Sequence, residues 1–440
     1  MSEKIQPRIL QGFMELLPAD QIAFNKMKDT IRSVYERFGF LPLDTPVLEY
    51  SDVLLAKAGG ETEKQIYRFQ KGDADISMRF DLTVPLARFV AMHENDLAFP
   101  FKRYQIAKSY RGERPQKGRF REFYQCDIDV IGSDSLDIIY DAEMPAIIYS
   151  VFTELGIGKF TVRINNRKIL GGFFEHIGLY DKVTDILRII DKLEKIGKEA
   201  IVSELDKLGC DSAAIEKILA FIGISGTNDE MLEALGKLGC DNPMFIDGVN
   251  ELSSVITSLR GFGVPEDYFT IDLTIARGLD YYTGTVYETK LDDYPSLGSI
   301  CSGGRYDNLA EFYTDKHLPG IGVSIGLTRL FSQLKEAGLI PDANKTVADV
   351  LVIPMDKNAL PSAIEAARTF RGAGIPTDVY YLDKGFKPKM KYANRIGVKY
   401  AAIIGESEAS ENKVSLKNML NSEQTTLSYD EAVEIIKSGK

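Results

Sequence analysis

The chain of 440 residues is 44% hydrophobic and 27% charged, with 64 acidic and 53 basic side chains and a formal charge of −11. That length exceeds a single ordinary core and predicts two or three domains. The acidic balance excludes an electrostatic grip on nucleic acid spread over the whole surface, so phosphate would have to be held by a local basic patch.

The chain opens MSEKIQPRILQGF, without the apolar centre of a signal peptide. No apolar run approaches the ~20 residues of a membrane span, and the expected setting is the cytoplasm. Over 19–40, Met27, Ile31, Val34, Tyr35 and Phe38 recur at helical spacing, and Gly39 suits the helix end. FLPLDTPVLEY (40–50) turns extended. Pro42 and Pro46 suit an edge strand, because proline offers no N–H to a ladder. In DISMRFDLTVPLARFV (75–90) a strand and a polar turn lead into a helix, with Thr83 as N-cap and Pro85 inside the first turn.

Between Lys102 and Arg121 stand eight Lys or Arg and one acid. Such a run is ordinarily a solvated loop. Here Gly112, Pro115 and Gly118 tighten it, and the guanidinium forks of Arg111, Arg114 and Arg121 match phosphate oxygens. The run leads into FYQCDIDVIG, where strand alternation puts Phe123, Gln125, Asp127 and Asp129 on one face. An aromatic, an amide and two carboxylates suit a pocket floor rather than a core face. Phe123 would offer a base a stacking surface worth ~1–3 kcal/mol.

From about 168 to 255 the chain becomes rich in Leu, Ile, Lys and Glu at 3.6-residue periodicity, predicting a helical block inserted into a mixed α/β domain. Within it, LDKLGCD (205–211) and LGKLGCD (235–241) read as repeated helix C-caps at Gly. Strand signals return over 268–291 around GLDYYTG, and CSGGRYDNL (301–309) carries a Gly-Gly pair that lets backbone approach a ligand. Each of these two segments reads equally well as a stabilised hairpin. LPGIGVSIGLTRLFSQLKEAG (318–338) predicts a strand entering a helix. Its glycine spacing and the lack of a following βαβ unit exclude a dinucleotide fingerprint, and no P-loop pattern occurs. After a linker at 336–345, residues 346–440 alternate strand and helix, then add one further strand and a closing helix, predicting a small separate α/β domain. There KGFKPKMKYANR (384–395) gathers five positive charges and no acid, readable as a solvated helix face or as an RNA contact. Cys126, Cys210, Cys240 and Cys301 lie far apart without a CxxC pair, which indicates neither a zinc site nor a disulfide framework. His93, His176 and His317 give little material for a metal cluster or a Ser-His-Asp triad.

Together these segments resemble the histidyl-tRNA synthetases, a family of class II aminoacyl-tRNA synthetases, over essentially the whole chain. TPVLE (45–49) resembles motif 1, YRGERPQKGRFREFYQCDIDVIG (110–132) motif 2, and GIGVSIGLTRL (320–330) motif 3. ARGLDYYTGTVYE (276–288) and GGRYDNL (303–309) are similar to the two histidine-specific signatures. The resemblance implies a mixed α/β fold. A catalytic domain over 1–335 would carry an antiparallel sheet of six or seven strands and a helical insertion at 168–255, near the tRNA acceptor stem. Residues 346–440 would be an α/β anticodon-binding domain.

The implied activity is conversion of L-histidine and ATP to histidyl-adenylate and pyrophosphate, then transfer of histidine to the 3′ end of tRNA(His). Mg²⁺ would come with the ATP, with no metal held by a protein cluster, and the chain would be a cytoplasmic homodimer. Carried over position by position, the resemblance makes Arg111 and Arg277 the catalytic charges. Arg111 holds the α-phosphate and the substrate carboxylate region, and Arg277 the α-carboxylate and the forming adenylate. Glu113 faces the adenine edge, Phe123 and Arg329 sandwich its ring, and Arg121 meets distal phosphates. Asp81, Thr83 and Gln125 match positions that hold the α-amino group, while Asp129, Tyr281 and Tyr282 match the imidazole pocket. Asp81 and Asp129 stand where many members carry glutamate. Two other readings are a non-catalytic synthetase-like regulatory subunit of ATP phosphoribosyltransferase and a class II synthetase for another amino acid. The former typically lacks the C-terminal domain and has eroded signatures. Here residues 346–440 are present and RGLDYY (277–282) is intact, which favours the histidine enzyme.

Overall fold

The computed structural model describes residues 4–56, 61–114, 118–190, 196–275, 282–340 and 345–439. The chain divides into two compact units, residues 1–14 with 27–339 and residues 15–26 with 340–440. The strands of the first unit are β1 (Leu41–Pro42), β2 (Leu48–Tyr50), β3 (Arg68–Lys71), β4 (Ala74–Met78), β5 (Phe101–Tyr110), β6 (Glu122–Ile131), β7 (Phe160–Asn166), β8 (Phe269–Ile271), β9 (Thr285–Leu291), β10 (Ser299–Tyr306) and β11 (Gly320–Ile325). Eight of them form one sheet in the order β1-β5-β6-β11-β10-β9-β7-β8. The six central strands pair antiparallel throughout. β1 and β8 add short parallel edges, so the sheet is two strands wider than its antiparallel part. Pro42 sits on one of those edges, and β2, which follows Pro46, is the edge of the small sheet β2-β4-β3. Both placements follow from proline's missing donor.

β6 shows how the sequence pattern builds the site. Cys126, Ile128 and Val130 are wholly buried, on the face opposite Gln125, Asp127 and Asp129. The core also takes Ala142, Met144, Ile147, Ile148, Val151 and Phe152 of the helix Ile139–Leu155. One strand therefore anchors the core with one face and presents polar groups with the other.

Between β7 and β8 the regular elements described are helical: Arg167–His176, Val183–Ile190, Lys198–Lys207, Ser212–Ile222, Asn228–Gly236 and Pro243–Gly261, with short 3-10 turns at Tyr180–Lys182 and Glu266–Tyr268. The repeated LGC phrases do end helices, with Gly209 at φ +80° and Gly239 at φ +71°, where a Cβ would be strained.

The second unit carries β12 (Val350–Pro354), β13 (Thr377–Val379), β14 (Tyr400–Ile404), β15 (Lys413–Asn418) and β16 (Gln424–Ser428), in the order β13-β12-β14-β15-β16. Every residue of β12 and β14 is buried, as expected for strands covered on both faces. Two strands follow β14, rather than the single one the pattern predicts, and a short helix, Glu406–Glu411, precedes them. In the basic segment, Lys384, Lys387, Lys391 and Arg395 are exposed. Lys389 is buried and its Nζ donates to the carbonyls of Pro354 (2.6 Å) and Met355 (3.2 Å). That lysine is neither solvated nor open to RNA; it satisfies carbonyls at the end of β12, where the ladder stops.

Candidate active site

The hairpin β5–β6 is in register from Phe101↔Ile131 to Tyr110↔Glu122, and the Arg111 amide continues it by donating to the Arg121 carbonyl (3.0 Å). Beneath this turn lies a cleft of about 460 Å³. Asp81, Thr83, Arg111, Glu113, Phe123, Gln125, Asp129, Tyr282 and Arg329 all line it, as does Asp127. Residues almost 250 positions apart thus meet in one place. Arg277 and Tyr281 lie outside the described residues.

Arg111 donates from Nε to the Phe80 carbonyl (3.0 Å), and its Cζ lies 5.2 Å from the centre of the Phe123 ring. Glu113 accepts from Arg119 (3.3 Å). The opposite wall is set by the helix Leu327–Glu336: Thr328 Oγ1 accepts from the Tyr124 amide (2.7 Å), and Arg329 Nη2 donates to the Leu297 carbonyl (3.0 Å). Arg121 is placed differently from the distal-phosphate contact expected of it. It does not line the cleft, and its Nε donates to the Glu113 carbonyl (3.0 Å). The tight loop leaves carbonyls without ladder partners, and this guanidinium fork takes one of them.

Thr83 does not serve as the helix cap. It is the first residue of the helix Thr83–His93, and Asp81 instead accepts the Val84 amide at 3.0 Å. A carboxylate suits that position because it faces the positive end of the helix. The capping bond uses Oδ1 and fixes the carboxylate, while the buried Oδ2 has no hydrogen-bond partner among the described residues.

Asp129 is held on two sides. Tyr306 Oη donates to its Oδ1 (2.6 Å), and Nη2 of the fully buried Arg103 lies 2.6 Å from its Oδ2. Burial pushes the Asp129 carboxyl upward while Arg103 and the Tyr306 hydroxyl oppose this. Burial also raises Asp81, to about 6, against the pull of the Val84 and Thr83 amides and Arg111. Asp127 rises to about 7 through burial and the nearby charges of Asp129 and Asp81, opposed by Arg103 and by Ser324, whose hydroxyl donates to it. The floor thus holds three buried acids near two arginines, an arrangement short of positive charge until a cationic ligand enters.

Burial has a stability consequence at Asp127. Its folded pKa lies above the unfolded value, so stability is fully present below ~4 and is lost as pH rises through about 7. Asp127→Asn cannot ionise, so it should gain on the wild type by ~2–4 kcal/mol between about pH 5 and pH 8. Thermal melts of both proteins across that range check this, and a pH-independent difference would refute it.

Comparison with known proteins follows the same residues. A family model described as histidyl-tRNA synthetase matches residues 12–330. The chain belongs to the histidyl-tRNA synthetase family. A second model, described as anticodon binding domain, matches residues 349–439. A histidine–tRNA ligase of Clostridium tetani is 57% identical over 435 residues, covering 99% of each chain. One from Xanthomonas campestris is 47% identical, covering 98% of this chain and 96% of that one. The crystal structure of histidyl-tRNA synthetase from a Nostoc species superposes with a TM-score of 0.93 at 41% identity, covering 99% of this chain and all of that one.

Within this family fold, Arg305 and Tyr306 of the second signature do different work. In GGRYD, Arg305 turns from the cleft floor to the buried Asp141 (2.6 Å) and to the Leu136 carbonyl (3.1 Å), while Tyr306 reaches Asp129. Tyr306, Arg103 and Ser324 are site residues to which the sequence reading gave no role. Tyr306 lies inside GGRYD (303–307). Arg103 stands inside the basic run, and only the hairpin register, which pairs it with Asp129, separates it from the arginines expected to face phosphate. The motif 3 glycines have a local cause: a Cβ on Gly322 would lie 2.1 Å from Asp129 Oδ1 and 2.7 Å from the Ile128 carbonyl. Gly322→Ala should therefore displace the Asp129 carboxylate and raise the histidine KM at least tenfold, an order-of-magnitude expectation for ~1 Å misplacement. The ATP KM should stay near wild type; an equal rise in both would point to general collapse of the cleft.

Proposed function

We propose that this protein is a histidine–tRNA ligase that forms histidyl-adenylate in this cleft and transfers histidine to tRNA(His). The observation that carries the proposal is one cleft lined both by the motif 2 arginine and its aromatic neighbour, Arg111 and Phe123, and by a floor of buried carboxylates. The first supplies what a nucleotide needs. The second supplies what a cationic amino acid with a ring able to donate two hydrogen bonds needs.

In the first step a carboxylate oxygen of histidine attacks the α-phosphorus of ATP, and the bond to the bridging oxygen breaks to release pyrophosphate. No enzyme nucleophile is required; two anions must be aligned and charge developing at phosphorus stabilised. Arg111 does this from the cleft wall, with Arg277 assigned the same work by the family resemblance. Adenine lies between Phe123 and Arg329 with Glu113 at its edge. Asp81, Thr83 and Gln125 hold the α-amino group, and Asp129 with Tyr281 and Tyr282 receives the imidazole. In the second step the terminal ribose hydroxyl of the tRNA attacks the histidyl carbonyl and AMP leaves.

Mg²⁺ enters with the nucleotide. Among the described residues no group of three His, Cys, Asp or Glu is disposed to hold an ion, while Glu288 in the cleft lining is an oxygen donor of the kind that shares an ion with phosphates. When bound, the ion neutralises phosphate charge. No described helix is long and apolar enough to cross a membrane, and the setting proposed here is the cytoplasm. Residues 1–335 form the catalytic domain, with 168–255 as its insertion, and 346–440 the anticodon-binding domain. The working form is a homodimer, supported by Leu41, Leu48, Tyr50 and Phe69, which stay exposed around the motif 1 segment; a purified chain that sediments as a monomer would refute it. The catalytic proposal is tested by histidine-dependent ATP–pyrophosphate exchange. Folded protein that binds ATP yet exchanges nothing with histidine would overturn it.

A further inference from the structure

Gln125 lies on β6, nearly buried, and lines the cleft. Its Nε2 donates to Ser324 Oγ (2.9 Å), and Ser324 Oγ donates to Asp127 Oδ1. Ser324 on β11 is the register partner of Asp127 on β6, so the sheet itself brings these two side chains together. The three groups form a chain with one direction, from amide to hydroxyl to carboxylate.

The direction follows from donor counts. A serine hydroxyl has a single hydrogen, and an ionised carboxylate can only accept. With that hydrogen given to Asp127, Ser324 has only lone pairs left for Gln125, and these take the amide NH₂ rather than its carbonyl. Gln125 Oε1 is then the buried end of the amide without a hydrogen-bond partner among the described residues. An acceptor of this kind, lining a cleft floored by carboxylates, suits an ammonium group. The reverse orientation would turn an NH₂ donor toward that group and repel it.

We propose that Ser324 and Asp127 are positioning residues of the amino-acid site, which fix the Gln125 amide so that its carbonyl oxygen receives the α-ammonium of the substrate. The inference rests on the reading of Gln125 given under the proposed function and adds the pair behind it. Arg103, Asp129 and Asp81 are the charged groups facing Asp127; Arg103 and a bound α-ammonium both favour the ionised carboxylate that the chain requires, against the burial that raises this acid to about 7 in the free cleft. A neutral Asp127 could donate to Ser324 and let the whole chain reverse, so the buried arginine serves the amide two residues away as well as Asp129.

The test is steady-state histidine-dependent ATP–pyrophosphate exchange with the full chain. Ser324→Ala should raise the histidine KM about tenfold, the usual scale for one charge-assisted hydrogen bond, with kcat at saturating histidine and the ATP KM changed less than about threefold. Ser324→Thr, which keeps the hydroxyl, should restore most of the loss. The specific readout is inhibition by imidazole-4-propionate, which lacks the α-amino group. Ser324→Ala should bind it as the wild type does, so the preference for histidine over this analogue falls about tenfold. Asp127→Asn, which keeps the volume but lets an amide donate to Ser324, should move the preference in the same direction. A wild-type histidine KM in Ser324→Ala, or an equal loss for histidine and its deamino analogue, overturns the proposal. Gln125→Ala separates the two levels. If it raises the histidine KM while Ser324→Ala does not, the reading of Gln125 stands and the positioning pair falls. If Gln125→Ala has no effect, the reading of Gln125 falls and the proposal with it.

Discussion

Replacing Arg111 with alanine is expected to lower kcat for histidine-dependent ATP–pyrophosphate exchange by about 10³-fold, the scale seen when a preorganised donor to developing charge is removed. The geometry gives the reason. Nε is committed to the Phe80 carbonyl, and the guanidinium lies over the Phe123 ring. Its Nη groups make no hydrogen bond among the described residues. The fork is thus held in place by one bond and one aromatic face, with its remaining donors left for oxygens of the substrates. Such donors need no reorganisation when charge moves onto the α-phosphate, which is why their loss should appear in kcat more than in KM. Lysine should rescue the variant only in part, because a point charge on a flexible stem neither stacks on Phe123 nor offers two donors in one plane. A deficit near 10²-fold is expected for Arg111→Lys. Exchange within tenfold of wild type in a folded Arg111→Ala protein would remove this residue from the catalytic step.

The contrast between Arg111 and Arg121 marks what the sequence can and cannot tell. Both stand in one basic run, composition separates neither from the phosphate role, and strand alternation correctly gathers Phe123, Gln125, Asp127 and Asp129 on one face. The alternation is local physics and survives any tertiary context that keeps β6 a strand. Whether an arginine faces a ligand or a backbone carbonyl depends on which carbonyls the loop leaves unpaired, and that is settled only by the closed hairpin. Arg121 went to Glu113 for this reason. Thr83 lost the capping role for a similar one: Asp81, two residues earlier, accepts the Val84 amide at the helix start with a charge that the helix end favours. The pairing of Arg103 with Asp129 was recoverable in principle, because Tyr110↔Glu122 at the turn fixes every later pair of the hairpin. Tyr306 and Ser324 come from strands almost 200 residues further on, and no local pattern places them against β6. The width of the sheet was out of reach too, since β1 and β8 have only two and three residues and are made strands by their neighbours.

The second large effect is expected at Asp129. Asp129→Asn keeps the shape of the side chain and can still accept from Tyr306, but it removes one of the three buried acids from the floor. The remaining Asp81 and Asp127 then merely balance Arg103 and Arg111, and the excess that attracts a cationic ligand is gone. Loss of one partner from a buried charge pair costs ~2–5 kcal/mol in binding, so the histidine KM should rise by at least ~30-fold, with the ATP KM within a few-fold of wild type. Arg103 is fully buried and loses its ion-pair partner at 2.6 Å, which predicts a lower melting temperature as well, softened because Asp127 also faces that guanidinium. Tyr306→Phe separates charge from orientation. It removes the hydroxyl that donates to Oδ1 but keeps the carboxylate and its pairing with Arg103, and the expected rise in histidine KM is only about tenfold, the scale of one hydrogen bond to a charged group. If Asp129→Asn and Tyr306→Phe weaken histidine equally, the carboxylate acts by geometry alone and the electrostatic account of imidazole selection fails. If Asp129→Asn leaves the histidine KM unchanged, the imidazole lies elsewhere in the cleft, and Asp127 becomes the acid to test in its place.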